Sequence, residues 1–275
     1  MSHLYDDLNN PQIISILDEV QLWSAPFGLK LLDVVRYKAN TEALDIGCGL
    51  GFPLIELAMR LGNTSTVHGL DPWRAAVDRV RQKINTCELS NVEVVEGHAE
   101  EMPFADNYFD LIVSNNGINN VDDIDETFEE CRRVSKTGAQ FVFTFNTDQT
   151  FVEFYDVYHD VLEDCGLKDY QKKLSEHIYS KRKPVLEFEE KLIKNGFGRI
   201  SIRHDIFHYR FVDATAMLNH FFMKLAFMPS WKELIPKNRQ EEVFHKIEVK
   251  LNAMAKESGC FTMQVPFVII DCEKR

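Results

Sequence analysis

Ala43-Leu44-Asp45-Ile46-Gly47-Cys48-Gly49-Leu50-Gly51-Phe52-Pro53 is the stretch on which the fold turns. A run of strand character enters a loop where three alternate residues are glycine, and a helical pattern opens at Pro53. Without Cβ atoms such a loop can turn sharply and lets a ligand reach the backbone. The spacing narrows the choice of ligand. A dinucleotide fingerprint, G-x-G-x-x-G/A, needs Gly or Ala where Phe52 stands, and no G-x-x-x-x-G-K-[ST] occurs, so a P-loop is excluded. A tight strand-to-helix turn with no ligand is the plain alternative.

Outward from the loop, residues 41–147 alternate short β-rich runs with helical periodicity. The runs Ala43–Ile46, Thr66–Leu70, Val92–Glu96, Phe109–Ser114 and Gln140–Phe145 predict strands. Trp73, Val77, Val80 and Ile84 make one helical stripe, and Ile124, Phe128 and Cys131 another. Pro53 and Pro72 stand where the first residue of a helix is expected, a position that tolerates a missing N–H. Strands alternating with helices imply right-handed βαβ units and a parallel sheet covered on both faces. Asp71 ends the second strand twenty residues after Gly51, where a carboxylate can accept ribose hydroxyls. Its competing role is to cap the helix opening at Pro72. Pro72 and Trp73 could wall an adenine, with core packing the plainer job for Trp73.

The remaining chain breaks the rhythm. Residues 150–183 predict a long amphipathic helix, Pro184–Asn195 a helix closed by Gly196, Arg199–Phe207 a strand, 212–256 further helix, and Phe261–Cys272 a final β-rich run. In the N-terminal 40 residues, Ile13–Leu17 and Gly28–Val35 predict helices over one edge of the sheet. No repeat or low-complexity linker appears. The expectation is one domain over 1–275, with a core at 41–147 and the helical insertions 148–183 and 212–256 capping the substrate side.

These residues carry a resemblance. Asp45-Ile46-Gly47-Cys48-Gly49-Leu50-Gly51 is similar to motif I of the class I S-adenosylmethionine (SAM) dependent methyltransferases. Gly97-His98-Ala99-Glu100-Glu101-Met102-Pro103-Phe104-Ala105-Asp106-Asn107-Tyr108-Phe109-Asp110-Leu111-Ile112 resembles that family's G-D-A-x-x-L-P-F-x-D-x-x-F-D-x-V stretch. Arg132-Arg133-Val134-Ser135-Lys136-Thr137-Gly138-Ala139 resembles its R-V-L-K-P-G-G segment. The subgroup is the one that contains the ubiquinone and menaquinone biosynthesis methyltransferases. The resemblance implies an α/β, Rossmann-like three-layer αβα fold whose seven-stranded sheet has an antiparallel last strand. It implies SAM as cofactor and S-adenosyl-L-homocysteine as product. Asp45, Gly47, Cys48 and Gly49 would surround the methionyl part, Asp71 the ribose, and Pro72, Trp73, His98, Ala99 and Glu100 the adenine side. Ala99 would offer its N–H to adenine. Asn115, beside Asn116, would turn its carbonyl toward the ammonium. His98 departs from the family's Asp, and a neutral imidazole can still accept one hydrogen bond.

Methyl transfer from a sulfonium needs alignment at about 3 Å more than it needs an acid or base, so no catalytic residue need be diagnostic. The acceptor would pass Ser114-Asn115-Asn116-Gly117-Ile118-Asn119-Asn120-Val121. Its asparagines suit a polar acceptor, or Asn119 and Asn120 cap the next helix. The segment is not [DN]-P-P-[YF], so nitrogen is not indicated. His98, His159, His204, His208 and His220 are candidate bases, none of them assigned. Trp23, Asn119, Tyr155, Tyr158 and Phe222 are the candidate acceptor contacts. Phe221, Met223, Leu225, Phe227, Met228 and Trp231 add an apolar segment that could be core, a pocket for an apolar or aromatic acceptor, or a homodimer contact.

Composition bounds the partners. The 275 residues carry a net charge of −12 with no basic stripe, which argues against nucleic acid and disfavours anionic membranes. Lys181-Arg182-Lys183 reads as a solvated helix end. The six cysteines form no C-x-x-C pair, so neither a disulfide framework nor a metal site is expected. The polar, acidic start is not a secretory signal, and no run approaches the roughly 18 apolar residues of a membrane helix, so a cytoplasmic protein is expected. A small-molecule methyltransferase is the leading reading. A non-catalytic SAM-binding regulatory or assembly protein and a nicotinamide oxidoreductase are the competitors.

Overall fold

The apolar run that enters the glycine loop is β1 (Glu42–Ile46), buried from Ala43 onward. The structure, a computed structural model, describes residues 23–275. Parallel neighbours flank β1 on both sides: β2 (Thr66–Asp71) places His68 opposite Leu44, and β4 (Phe109–Asn115) places Ile112 opposite it. β3 (Val92–Glu96) extends the sheet from β2, and β5 (Ser135–Asn146) from β4. With β6 (Phe197–Phe211) and β7 (Phe261–Lys274) the order is β3-β2-β1-β4-β5-β7-β6, the last strand antiparallel. This is the Rossmann-like sheet that the motifs imply.

The helices in chain order are α1 (Ala25–Leu32), α2 (Leu54–Leu61), α3 (Arg74–Thr86), α4 (Ile124–Val134), α5 (Val152–Asp164), α6 (Tyr170–Lys181), α7 (Val185–Lys194), α8 (Ala214–Asn219), α9 (Phe221–Ala226), α10 (Met228–Glu233) and α11 (Gln240–Ser258). The chain divides into two compact units. One comprises residues up to Phe145 with Pro184–Asp205 and Phe267–Arg275; the other comprises Asn146–Lys183 with Ile206–Pro266.

Period-two spacing builds the core of the first unit. Phe141, Phe143 and Phe145 share one face of β5, because alternate residues of a strand point the same way. Phe128 of α4 and Phe188 of α7 pack onto that row, with the Phe145 and Phe188 rings stacked at 4.1 Å. All five rings are buried, and such pairs add about 0.5–1.5 kcal/mol each beyond their area. α2 presents Leu54, Leu57, Ala58 and Leu61 as its buried stripe while Arg60 and Met59 face outward. In the second unit Trp231 stacks on Phe154 at 4.0 Å, surrounded by Phe151, Tyr158 and Phe227.

Several boundaries differ from expectation, each with a local cause. α3 begins at Arg74 rather than Pro72, since the Asp71 carboxylate takes the Trp73 N–H and keeps that residue extended. The expected long helix over 150–183 is two helices, interrupted after Cys165 by Gly166 at φ +67°. The 212–256 segment is four helices and a single 3-10 turn, and the strand expected over Arg199–Phe207 runs from Phe197 to Phe211. Asn119 and Asn120 do not cap the following helix. They belong to a 3-10 turn, Ile118–Asn120, and the cap of α4 is Asp123. Ile13–Leu17 lies outside the described residues; of Gly28–Val35, the part to Leu32 is helical.

Asp123 accepts from the N–H groups of Asp125 and Glu126 at 2.8 and 3.0 Å. Replacing a cap of this kind costs about 1 kcal/mol. Asp123→Ala is therefore expected to lower the unfolding free energy read by urea denaturation by about 1 kcal/mol, and Asp123→Asn to keep most of it.

Candidate functional site

At the carboxyl ends of β1, β2 and β4 the first unit opens a cleft of about 350 Å³. Its walls come from the ends of strands and the loops after them: Ile46 and Gly47, Leu70 to Pro72, Gly97 to Glu100, and Asn116 to Asp122. The cleft lies where the strand order reverses about β1, the usual ligand crevice of a doubly wound sheet, and its size suits a small molecule.

Glycine is required where two loops meet. Gly47 takes φ +71°, and a Cβ there would stand 3.1 Å from the Gly117 Cα. A Cβ on Gly117 would meet the Ile46 carbonyl and the Ser114 hydroxyl at 2.7 Å. Sequence reasoning passed over Gly117; its signal was a glycine following two asparagines at a strand end.

Asp71 ties the floor together. One carboxylate oxygen accepts the Gly49 N–H at 2.8 Å and the other the Trp73 N–H at 2.8 Å. Each oxygen keeps a further lone pair, and the residue lines the cleft. Burial raises its pKa, opposed by those two amides. The expected competition between ligand and helix cap does not arise in that form, because the bond goes to the residue ahead of α3.

Asp45 has no such compensation. It is fully buried in β1, and neither carboxylate oxygen makes a hydrogen bond of ordinary geometry. Burial pushes its pKa well up, the nearby Asp71 charge pushes it further, and the Leu54 amide opposes both. Near it, the buried Asn116 Oδ1 and Trp73 Nε1 also make no hydrogen bond. Orphaned polar groups of this kind are costly in a protein interior and mark places where a ligand can supply the missing bond.

Of the residues assigned in sequence to the cofactor, the structure brings Gly47, Asp71, Pro72, His98, Ala99, Glu100 and Asn116 to the cleft. Gly49 reaches it only by its bond to Asp71. Cys48 turns away, buried against Gly69, where an added Cβ would come within 2.9 Å of its Sγ. The Asn115 side chain is occupied, donating to Ser24 O and accepting from Thr144 Oγ1, both at 3.0 Å. Glu100 clamps the loops, accepting from the N–H groups of Asp122 and Asp123 at 2.7 and 3.1 Å. Of the candidate bases only His98 is among the residues lining the cleft.

The candidate acceptor contacts separate. Trp23 is half-buried, its ring edge-on to Phe27 at 5.4 Å, and Asn119 sits in the 3-10 turn after β4. Tyr155, Tyr158 and Phe222 belong to the second unit. Tyr158 is fully buried and donates its hydroxyl to Trp231 O at 2.9 Å, so its structure is that of a packing residue. Tyr155 is buried as well, and Phe222 lies edge-on to Phe227.

Arg133 explains why two motifs separated in sequence occur together. It donates to the carbonyls of Met102 and Phe104 and to the carboxylates of Asp106 and Glu130. The arginine of the third motif thereby fixes the loop of the second, just past the cleft-lining Ala99 and Glu100.

With this geometry in hand, the profile described as "Methyltransferase domain" matches residues 44–143. Residues 44–143 are thus similar to a methyltransferase domain. The demethylmenaquinone methyltransferase of Staphylococcus aureus (strain JH9) is 32% identical over 158 residues, 58% of this chain and 62% of that protein. The chain spans less than two thirds of the length of the curated relatives first matched. Among solved structures, the YcgJ protein of Bacillus subtilis aligns with a TM-score of 0.57 at 16% identity, covering 90% of this chain and 97% of that one. A SAM dependent methyltransferase of Aquifex aeolicus aligns at 0.51 and 21% identity, covering 70% and 91%. These structural likenesses speak to the fold of the methyltransferase domain. Among the described residues no helix is long and apolar enough to cross a membrane.

Asp45 gives a pH prediction. Its folded pKa is raised, so the folded state holds a proton that the unfolded state releases, and the penalty grows as pH rises through the ordinary carboxylate value of about 3.9. Asp45→Asn is expected to stabilise the ligand-free protein at pH 7, read by chemical denaturation. The gain should shrink as pH falls toward 4.

Proposed function

We propose that this chain is a SAM-dependent methyltransferase acting on a small molecule. The observation that carries the reading is the cleft of the methyltransferase domain. Glycines form its turn and Asp71 holds spare acceptor capacity on its floor; next to the cleft-lining Ile46, Asp45 is buried with no hydrogen bond of ordinary geometry. A cationic nucleoside ligand fits that donor and acceptor set. Asp71 is suited to accept ribose hydroxyls, and the Ala99 N–H and His98 to meet the edge of an adenine. Asp45, with the Gly47 and Gly49 backbone, is suited to the methionyl end. Asn115 holds the end of β4 through its own side-chain bonds, leaving its carbonyl for an ammonium group.

When bound, SAM supplies an electrophilic methyl on a sulfonium. The chain's own contribution is then to hold the acceptor in line with that methyl and to exclude water, which is where alignment yields its rate gain. Relatives are named for methylating demethylmenaquinone, and an apolar or aromatic acceptor is the finer form of this proposal. Residues Trp23 and Asn119, beside the first unit's α1 and β4, are the acceptor contacts it retains.

Asp71→Ala tests the assignment. The variant is expected to bind S-adenosylhomocysteine at least tenfold more weakly by calorimetry while keeping the wild-type circular dichroism spectrum. Affinity unchanged within twofold would remove Asp71 from the site. Transfer of a labelled methyl group from SAM to a demethylmenaquinone analogue, compared with a polar acceptor panel, tests the acceptor class.

A further inference from the structure

Lys181-Arg182-Lys183 has the look of a solvated basic turn, and Lys181 is indeed exposed. Arg182 is not: it retains only 4% of its surface. It follows Lys181 at the end of α6, its N–H donated to Ile178 O at 2.9 Å. A guanidinium withdrawn from water is strongly disfavoured unless an anion compensates it. Among the described residues no carboxylate does. Its side-chain contacts are a 3.4 Å hydrogen bond from Nη1 to the Tyr155 hydroxyl and the Tyr155 ring face, 5.5 Å from Cζ. The ring offsets part of the cost and holds the guanidinium in place.

Tyr155 shows the same imbalance. Its oxygen accepts the Trp231 Nε1–H at 2.9 Å and the long bond from Arg182. The phenol still carries its own proton, and no acceptor for that proton stands among the described residues. The neighbouring Tyr158 shows the satisfied alternative, with its proton donated to Trp231 O. The His177 pKa is lowered by burial and then by the charges of Arg182 and Lys181. Two donors therefore converge on the Tyr155 oxygen, and among the described residues no carboxylate balances the guanidinium.

We propose that Arg182 and Tyr155 form an oxyanion-binding site inside the second unit, taking the carboxylate or phosphate group of a small molecule. The planar guanidinium fork can hold two oxygens of such a group at once, and the phenol O–H supplies a third bond. Trp231 is a positioning residue, since its indole N–H occupies the Tyr155 lone pair and leaves the proton free to turn. None of the three lines the cleft of the methyltransferase domain, so the site does not rest on methyl transfer.

Calorimetric titration of the full chain with sodium phosphate, and separately with sodium acetate at matched ionic strength, tests this. Saturable millimolar binding of one or both anions to the wild type is expected, and which one binds identifies the group. Arg182→Met should weaken it at least tenfold, Tyr155→Phe several-fold, and Arg182→Lys should retain part. Without added anion, Arg182→Met should melt no lower than wild type, because it removes a buried charge with no counter-charge among the described residues. The anion should raise the wild-type Tm and leave that of Arg182→Met unchanged. No saturable binding of either anion to wild type, or equal binding by Arg182→Met, overturns the site. So does an Arg182→Met protein that melts well below wild type while neither protein binds an anion, which would assign Arg182 to packing.

Discussion

The carboxylate of Asp71 is the tie on which the site depends. It joins the Gly49 amide, in the turn after β1, to the Trp73 amide, at the entrance of α3, each at 2.8 Å. Two adjacent parallel strands thus end in loops fixed to each other rather than to solvent. The turn itself exists because Gly47, Gly49 and Gly51 take positive φ. Gly117 allows the loop after β4 to lie against it, and the cleft is what these constraints leave open.

Much of this was legible in the sequence. Local pattern and local chemistry coincide from β1 to β5: alternation marks the strands, glycine marks the turn, and Asp71 ends its strand at the spacing a nucleotide site needs. Five strands were anticipated to within a few residues, the largest error being the start of β5 at Ser135 rather than Gln140. Seven of twelve proposed cofactor residues line one cleft, which follows from the register of the parallel strands. That the Cys48 side chain turns toward Gly69 was not legible, because a loop of alternating glycines gives no indication of which way the side chain between them points.

What the sequence did not disclose depends on partners distant along the chain. Arg133 reads as a surface residue of α4 until the carbonyls of Met102 and Phe104 are seen to accept from it. Lys181-Arg182-Lys183 reads as uniformly solvated because composition cannot show that one of three cations is folded under Tyr155. Tyr155 and Tyr158 look equivalent one turn apart on α5. Only the trajectory of Trp231, more than seventy residues on, separates a satisfied phenol from one with a proton to give. The same long-range dependence explains why the second unit was foreseen as helix without its breaks, since Gly166 is informative only once the helix is known to stop there.

The central claim is that the cleft of the methyltransferase domain holds SAM, and calorimetric titration of the purified wild-type chain with SAM, S-adenosylhomocysteine and NAD tests it most directly. Micromolar, one-to-one binding of the first two with no heat from NAD is the result expected. Failure of both SAM and S-adenosylhomocysteine to bind, or binding of NAD in their place, would contradict it.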